Sequence, residues 1–191
     1  MAPLYTMKIL FKIKALLFAP LYLLFIRNRE YNKHELRCWE STLPSIYYQS
    51  TFLCFIRMCA AYPEYRSLLL FRSGNIGTFL SYLIPHLTSI HFITDSSLIG
   101  RGLILQHAFS TILFPETMGE NCQVWHNVTI GRAHNKGHRP RIGNNVKICA
   151  GAIVIGDIEI GDNVTIGAGA VVTKSIPANS VVVGNPACII K

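Results

Sequence analysis

A six-residue repeat of aliphatic side chains constrains the fold of this chain more than any other feature. Every sixth residue is aliphatic through one long stretch, and a second apolar residue follows each of these after four positions. The first set is Ile142, Ile148, Val154, Ile160, Ile166 and Val172, and the second is Val146, Ala152, Ile158, Val164, Ala170 and Ile176. A period of six matches neither the 3.6-residue turn of an α-helix nor the two-residue alternation of a strand. It predicts short strands that turn at Gly, Asn or Asp corners and stack coil upon coil, with the aliphatic positions inward.

The repeat continues towards the N-terminus with one slip of phase. Ile130, Val124, Met118 and Ile112 keep the phase, whereas Leu105, Ile99 and Ile93 are again six apart but shifted by one residue. The slip therefore lies between Leu105 and Ile112. We predict a mainly β fold, a parallel β-helix over residues 91–191, preceded by an α-helical region over residues 30–90.

Residues 1–29 form a third segment, which is basic and apolar. The eleven-residue apolar run Leu16–Ile26 has Lys8, Lys12 and Lys14 before it and Arg27 and Arg29 after it. A helix needs about 20 residues to span a bilayer, and Pro20 is expected to kink or split a helix here. Two interpretations stay open: a peripheral membrane anchor, or a helix that packs on its own protein or a sister subunit.

Composition and charge narrow the class of protein. The chain has 191 residues, of which 50% are apolar and 15% charged, so it can bury a core. Residues 1–90 hold ten Lys/Arg against four Asp/Glu, which places most of the +8 net charge outside the repeats. The six cysteines form no CxxC pair, and we expect buried thiols in a reducing, cytoplasmic setting, with association at the inner face of the membrane left open. No nucleic-acid-binding motif is present, and we expect no metal site.

The repeat motifs resemble the hexapeptide-repeat acyltransferases, which fold as a left-handed parallel β-helix. Within that group, the second half of the chain is similar to the serine acetyltransferase branch, which includes capsule and exopolysaccharide O-acetyltransferases. The motifs that carry this likeness are Asp95–Gly102, Leu105–Ala108, Val128–Gly131, Arg139–Gly143, Ile166–Val172 and Gly184–Ala187. The resemblance implies an acetyl-CoA cosubstrate and a homotrimer with active sites between subunits.

The resemblance implies that His107 is the general base. A base with a pKa near 7 is needed to take a proton from an acceptor hydroxyl as it attacks the thioester, and imidazole meets that need. Serine acetyltransferases have an Asp directly before this histidine, whereas this chain has Gln106. A neutral amide hydrogen-bonds but cannot stabilise an ammonium group by charge, so Gln106 favours a neutral sugar hydroxyl over free serine.

Further acceptor contacts are carried over from the same resemblance. The polar stretch Arg132–Pro140 interrupts the coils like the loop that reaches a neighbouring subunit's site in trimeric members. The family's Arg-His-Pro order is exchanged here to His138-Arg139-Pro140, and we predict a catalytic role for His138 and acceptor binding for Arg139. His126 and Asp95 are further candidates for acceptor binding.

The CoA site is predicted along the last coils. The resemblance places Ala150, Ala168 and Gly131 where small residues let a pantetheine arm pass close to the backbone. Arg141 and Lys174 are candidates for contacts with CoA phosphates. The last motif is followed by Cys188 where the family usually has Lys or Arg, so one phosphate contact is missing.

Three functions are compatible with these residues. The first is O-acetylation of a sugar in capsule or exopolysaccharide biosynthesis, which Gln106 and the basic apolar N-terminus favour. The alternative is serine O-acetylation in cysteine biosynthesis, which the overall resemblance favours. The third is a β-helix scaffold without catalytic activity.

Overall fold

The computed structural model describes residues 16–26, 30–42 and 50–191. The basic residues on either side of the first apolar run, from Lys8 to Lys14 and from Arg27 to Arg29, lie outside the described residues. Within these ranges the helices come first: α1 over residues 16–25, α2 (Glu30–Thr42), α3 (Thr51–Ala61), α4 (Pro63–Arg72) and α5 (Gly74–Ser81). No helix in the described part of the chain is long and apolar enough to cross a bilayer.

Two prolines and two glycines shape these helices, and one of them departs from expectation. Pro20 lies within α1, so the expected split at this residue is wrong. Pro63 begins α4, where its missing N–H is not needed and its fixed φ suits the first turn. Ser73 separates α4 from α5, which begins at Gly74 with a φ of 56°, whereas Gly77 lies inside α5. A side chain at Gly77 would collide with the backbone of Leu70, so this glycine allows α5 to pack closely on α4.

Fourteen short strands follow, and thirteen of them form three parallel faces of a triangular prism. The first face has the order β1-β3-β6-β9-β12, the second β4-β7-β10, and the third β2-β5-β8-β11-β13, to which β14 adds antiparallel. The strands are β1 (Ile90–Phe92), β2 (Ile104–Leu105), β3 (Thr111–Leu113), β4 (Thr117–Met118), β5 (Gln123–Val124), β6 (Thr129–Gly131), β7 (Arg141–Ile142), β8 (Lys147–Ile148), β9 (Ile153–Ile155), β10 (Glu159–Ile160), β11 (Thr165–Ile166), β12 (Val171–Val172), β13 (Val181–Val183) and β14 (Cys188–Ile189).

The strand register shows that one regular coil consists of three hexapeptides. Lys147 pairs with Thr165, eighteen residues later. Gln123 pairs with Lys147 across twenty-four residues, because the polar loop between β6 and β7 adds six residues to that coil. Ile104 pairs with Gln123 across nineteen residues, so the coil that contains His107 has one residue more than a regular coil.

The inward positions of the repeat are confirmed over its regular part. All twelve residues of the two sets from Ile142 to Ile176 are buried and stack along the axis of the prism. The phase assigned to Ile112 is wrong, because Leu113 is buried and Ile112 faces outward. Ile93 is also exposed, contrary to the repeat assignment. Both errors lie near irregular coils, where an added residue reverses which side chains of a short strand face inward.

Three side chains of the helical region fix it to the first coil of the prism. Arg72 and Glu35 form a buried ion pair of 2.9 Å, and the Arg72 guanidinium also donates to the carbonyls of Ser96, Ile99 and Gly100. Burial raises the pKa of the Glu35 carboxyl, and the Arg72 charge and the Leu103 N–H oppose that rise. The indole of Trp39 donates to the Leu103 carbonyl at 2.8 Å, and the Leu103 N–H donates to the Glu35 carboxylate at 3.2 Å. Two side chains of α2 thus bind the backbone of Leu103, the residue that precedes β2.

None of the six cysteines, all of which lie in the described residues, forms a disulfide. Cys54, Cys59 and Cys122 are buried as expected, whereas Cys38 and Cys149 are half-buried. Burial raises the pKa of Cys54 to about 12 and that of Cys122 to about 11, which keeps both thiols protonated at neutral pH. Cys188 is exposed on β14, contrary to the expectation that the cysteines are buried.

Candidate active site

The turns between strands lie along the three edges of the prism, and each edge contains a different set of turns. The first edge joins the third face to the first face, and contains the turns that follow β2, β5, β8 and β11. The second edge contains the turns that follow β3, β6, β9 and β12, and the third contains those that follow β4, β7 and β10. Each predicted site residue can therefore be assigned to an edge.

His107 lies on the first edge, in the turn of the coil that is one residue longer. It is exposed and has a φ of 49°, and Ser110 in the same turn has a φ of 52°. The N–H of Phe109 donates to the His107 carbonyl at 2.7 Å, which closes the turn tightly. Left-handed backbone is uncommon for residues other than glycine and is found at functional sites more often than elsewhere. Eight residues separate Ile104 from Ile112, whereas six separate their partners Gln123 and Thr129, so His107 lies exposed in a turn that is two residues longer than the corresponding turn of the next coil.

A small cavity lies beside His107, between the first coil and helices α2 and α4. Its volume is about 40 Å³, which suits a group the size of a hydroxymethyl. Most of its lining is apolar or aromatic, and it consists of Trp39, Tyr62, Glu64, Ile104, Leu105, Gln106 and His107. An acceptor hydroxyl in this cavity would lie next to the imidazole.

Glu64 supplies the only carboxylate among the described residues that line this cavity. It is half-buried at the start of α4, and its carboxylate forms no ion pair with any residue in the described ranges. Sequence reasoning missed both Glu64 and the cavity wall formed by Trp39 and Tyr62. The repeat gives no signal for these residues, because they lie in the helical region and their place at the cavity depends on how it packs against the first coil.

Gln106 is half-buried and lines the same cavity. Its N–H donates to the Val124 carbonyl at 2.8 Å, so the backbone before His107 is part of the regular ladder. Gln106 and His107 therefore line one cavity, to which the helical region adds Glu64.

A column of residues continues along the first edge from His107. The ring of Phe109 stacks on His126 with centroids 4.9 Å apart, and the His126 carbonyl accepts from Gly151 N–H in the next coil. The Ala150 carbonyl accepts from Gly169 N–H one coil further on, which aligns Ala150 with Ala168. His126, Ala150 and Ala168 thus follow His107 along one edge, in successive coils. Beyond His126, the side chains at this position are the small ones of the two alanines.

The Nδ1 atom of His126 is buried and has no hydrogen-bond partner among the described residues. Phe109, stacked on it, is nearly half exposed. This edge therefore combines an exposed apolar ring with a buried nitrogen that has no partner among the described residues.

The polar loop lies on the second edge, away from His107. Arg139 forms an ion pair of 2.8 Å with Glu116, and its guanidinium lies 4.7 Å from the centre of the Phe114 ring. Arg132 lies over the same ring at 5.1 Å, so the two arginines hold the base of the loop. The hydrogen bond from Arg139 lowers the pKa of the Glu116 carboxyl. His138 is exposed next to this cluster.

Within one chain, the loop residues and His107 do not form a common site. Neither His138 nor Arg139 lines the cavity beside His107, because the loop follows β6 and His107 follows β2. A site that contains both sets must combine the first edge of one chain with the second edge of another.

The residues predicted to bind CoA differ in their surroundings. A side chain added at Gly131 would meet nothing within 4 Å, and its φ is not positive, so neither packing nor backbone conformation requires glycine there. Arg141 is already paired with Glu159 and Asp157, at 3.2 and 3.3 Å, which weakens its candidacy as a phosphate contact. Lys174 is exposed on the second edge and forms no ion pair with the described residues.

Asp95 is not part of the cavity beside His107. Its carboxylate accepts from the N–H and hydroxyl of Ser97 and so caps the short 3₁₀ turn Ser96–Leu98. It lines a separate cleft between α5 and β1. The prediction that Asp95 binds the acceptor is therefore not supported within one chain, because a capping role accounts for its position.

Comparison with known proteins relates these features to one group of enzymes. The family described as bacterial transferase hexapeptide (six repeats) matches residues 139–174. A chloroplastic serine acetyltransferase from Arabidopsis thaliana is 41% identical over 117 residues, which are 58% of this chain and 37% of that protein. The serine acetyltransferase of Staphylococcus xylosus is 43% identical over 102 residues, which are 49% of this chain and 44% of that protein. The chain thus spans less than half the length of these curated relatives.

The crystal structure of Neisseria gonorrhoeae serine acetyltransferase has a similar fold. It matches with a TM-score of 0.67 at 24% identity, over 84% of this chain and 66% of that chain. The left-handed parallel β-helix after an α-helical region is thereby confirmed. The resemblance to hexapeptide-repeat acyltransferases of the serine acetyltransferase branch is also confirmed.

Proposed function

We propose that this chain is an acetyl-CoA-dependent O-acetyltransferase in which His107 is the general base. The observation that carries the proposal is an exposed histidine on a distorted turn, beside a small cavity and on the same edge of the prism as Ala150 and Ala168. The similarity to serine acetyltransferases supports the reaction class.

The reaction follows from ordinary acyl-transfer chemistry. A nitrogen of His107 takes the proton of the acceptor hydroxyl while the oxygen attacks the thioester carbonyl carbon. The tetrahedral oxyanion then collapses, the carbon–sulfur bond breaks, and the CoA sulfur leaves with the proton from the imidazolium. The pantetheine arm would follow the first edge past Ala150 and Ala168, where the absence of long side chains leaves the backbone accessible.

The acceptor that best fits the combined observations is L-serine. The curated relatives are serine acetyltransferases, and the cavity beside His107 has room for a hydroxymethyl group and contains the Glu64 carboxylate. Glu64 would supply the negative charge for the serine ammonium that Gln106 lacks. The sugar acceptor that the sequence favoured receives no support from the relatives.

A sugar hydroxyl remains the second candidate acceptor, because Gln106 is neutral and lies directly before the base. Purified protein, acetyl-CoA and either L-serine or a panel of neutral hexoses distinguish the two. Loss of thioester absorbance is the suitable signal, since a thiol reagent would react with the exposed Cys188. We expect consumption with L-serine that exceeds that with every hexose; a hexose preferred over L-serine would reverse the assignment.

We further propose that the active form is a homotrimer with sites between subunits. One chain separates His107 on the first edge from His138 and Arg139 on the second. Packing the first edge of one subunit against the second edge of the next would bring them together and would cover Phe109 and the unpaired Nδ1 of His126.

A further inference from the structure

The outer face of helix α1 is an apolar surface that the rest of the described chain leaves uncovered. On its inner face, Phe18, Leu21 and Phe25 are buried. The centre of the Tyr22 ring lies 5.1 Å from that of Phe52 and 5.7 Å from that of Phe55, both in α3. The helix is therefore anchored to the protein by one side.

On the opposite side, four leucines face outward. Leu16 is 79% exposed, Leu17 60%, Leu23 58% and Leu24 48%. Leu16 and Leu23 are seven residues apart, as are Leu17 and Leu24, so two turns of helix place them in one stripe together with the exposed Pro20. An apolar stripe of this kind on a helix surface marks an interaction site.

The charge around the stripe specifies the partner. Residues 1–29 contain five Lys/Arg and no Asp or Glu. Three lysines, Lys8, Lys12 and Lys14, precede the stripe in sequence, and Arg27 and Arg29 follow it. Lipid headgroups of negative charge complement such a segment, and acyl chains complement the leucines. A second copy of the chain would bring the same positive charge against itself, which opposes self-association through this face.

We propose that the outer face of α1 binds peripherally to anionic membranes. The helix lies in the plane of the headgroups with its leucines in the acyl-chain boundary, while α3 holds it to the rest of the protein. No described helix is long enough to cross the bilayer, which agrees with binding at the surface. This inference is independent of the acetyltransferase proposal, because it uses no residue of the site.

Co-sedimentation of the purified full chain with vesicles tests the inference. Vesicles of phosphatidylcholine alone are compared with vesicles that contain an equal part of phosphatidylglycerol, at low and high salt. We expect binding to the anionic vesicles that decreases as salt rises, and at least tenfold weaker binding to neutral vesicles. The double variant L17E/L24E should lose at least tenfold in partition to the anionic vesicles.

The matched control is I189E/I190E. These two residues have similar exposures, 52% and 64%, and lie at the C-terminal end of the prism, whereas the helices contact its first coil. The control should bind vesicles like the unmodified chain, and circular dichroism should show that both variants remain folded. A second variant, R27Q/R29Q, should weaken binding and reduce its dependence on salt.

Three results would overturn the inference. One is equal vesicle binding by L17E/L24E and I189E/I190E. Another is equal binding to neutral and anionic vesicles. The third is a loss of self-association by L17E/L24E, measured by light scattering, with no vesicle binding by the unmodified chain; this result would assign the stripe to a second copy.

Discussion

At the scale of single residues, the site depends on backbone positions that most side chains avoid. His107 and Ser110 have positive φ in the turn that contains the added residue, and four asparagines have positive φ along the third edge: Asn121, Asn145, Asn163 and Asn179. Asn tolerates this conformation because its short side chain hydrogen-bonds locally. The same backbone conformation thus occurs in the turn that exposes His107 on one edge and in the regular Asn corners of another.

Glu64 should determine preference for an acceptor that carries an ammonium group. In the unmodified enzyme, L-serine should be favoured over L-glycerate, which has a hydroxyl in place of the ammonium. Glu64→Gln should reduce that preference by about 10- to 150-fold in kcat/KM, the range for a lost hydrogen bond between charged groups of roughly 1.5–3 kcal/mol. Steady-state kinetics with both acceptors measure the change.

The control for this variant is the affinity for acetyl-CoA, which should not change because Glu64 lies in the cavity and not along the column of small residues. An unchanged ratio of serine to glycerate in Glu64→Gln would exclude Glu64 from ammonium binding.

Asn163→Ala should destabilise the protein by about 1–2 kcal/mol, because alanine at a φ of 58° is strained. The variant also loses the ladder hydrogen bonds from Asn145 and to Asn179, at 3.2 and 2.9 Å. Asn163→Gly is the matched control: it loses the same hydrogen bonds but accepts the φ, so its loss should be smaller. Urea unfolding measures both, and an equal loss in the two variants would contradict the strain argument.

The positions of residues within the six-residue repeat could be predicted from the sequence. The positions of residues that depend on packing between distant segments could not. His107 was found because it lies at the phase slip and in a motif. Glu64 was missed because its place in the cavity depends on how α4 packs against a coil some forty residues later in the chain. For Asp95, a motif gives its position along the chain but not the Ser97 groups that it caps, and its assignment to the acceptor stays a prediction.

At the scale of elements, the helical region stabilises the coil that presents the base. Helix α2 contacts both the N–H and the carbonyl of Leu103 through Glu35 and Trp39, and α4 contributes Arg72 to three carbonyls of the preceding turn. Leu103 directly precedes β2, and β2 leads into Gln106 and His107. The periodicity of the sequence predicts the helices and the coils. It does not predict the contacts between them, because a buried ion pair such as Arg72–Glu35 has no periodic pattern.

Arg72→Met should reduce the free energy of unfolding by about 3–5 kcal/mol, because it leaves the buried Glu35 carboxylate without its partner. The matched control is Arg101→Met, which breaks an exposed pair with Glu120 and should cost at most about 1 kcal/mol. Urea unfolding of both variants beside the unmodified chain measures the difference.

The deficit of Arg72→Met should shrink as the pH is lowered. In the variant, burial raises the folded-state pKa of Glu35 above its unfolded-state value, and Arg72 no longer opposes that rise. The cost of the buried charge is therefore present above this raised pKa and is relieved as the pH falls through it. A deficit that stays constant or grows towards acidic pH would show that the lost carbonyl contacts, and not the unpaired carboxylate, dominate.

At the scale of the whole molecule, the proposed trimer would divide the site between chains. His107, the proposed base, lies on the first edge, and the loop with His138 and Arg139 lies on the second. The sequence identified both sets of residues but could not show that one chain keeps them apart. Successive strands belong to successive faces, so the edge on which a turn lies follows from the number of strands before it. Near His107 the coils are irregular, and the strands cannot be counted from the sequence alone.

A trimer predicts a mass of three times 21.4 kDa, about 64 kDa, by light scattering on a size-exclusion column. Phe109→Asp should shift the protein towards the monomer mass, because it places a charge on the apolar surface that we expect a neighbour to cover. Ile189→Asp, on an exposed strand at the end of the prism, is the control and should remain trimeric. A fully active monomer would contradict sites formed between subunits.

The most direct test of the central claim is the rate of acetyl-CoA consumption with L-serine in His107→Asn. Asparagine accepts the φ of 49°, so the turn should survive while the base is lost. Thermal midpoint and CoA affinity should stay close to those of the unmodified chain. We predict a fall in kcat of about 10²- to 10⁴-fold, the usual contribution of a general base. A folded His107→Asn enzyme whose kcat is within about threefold of the original would show that His107 is not the base.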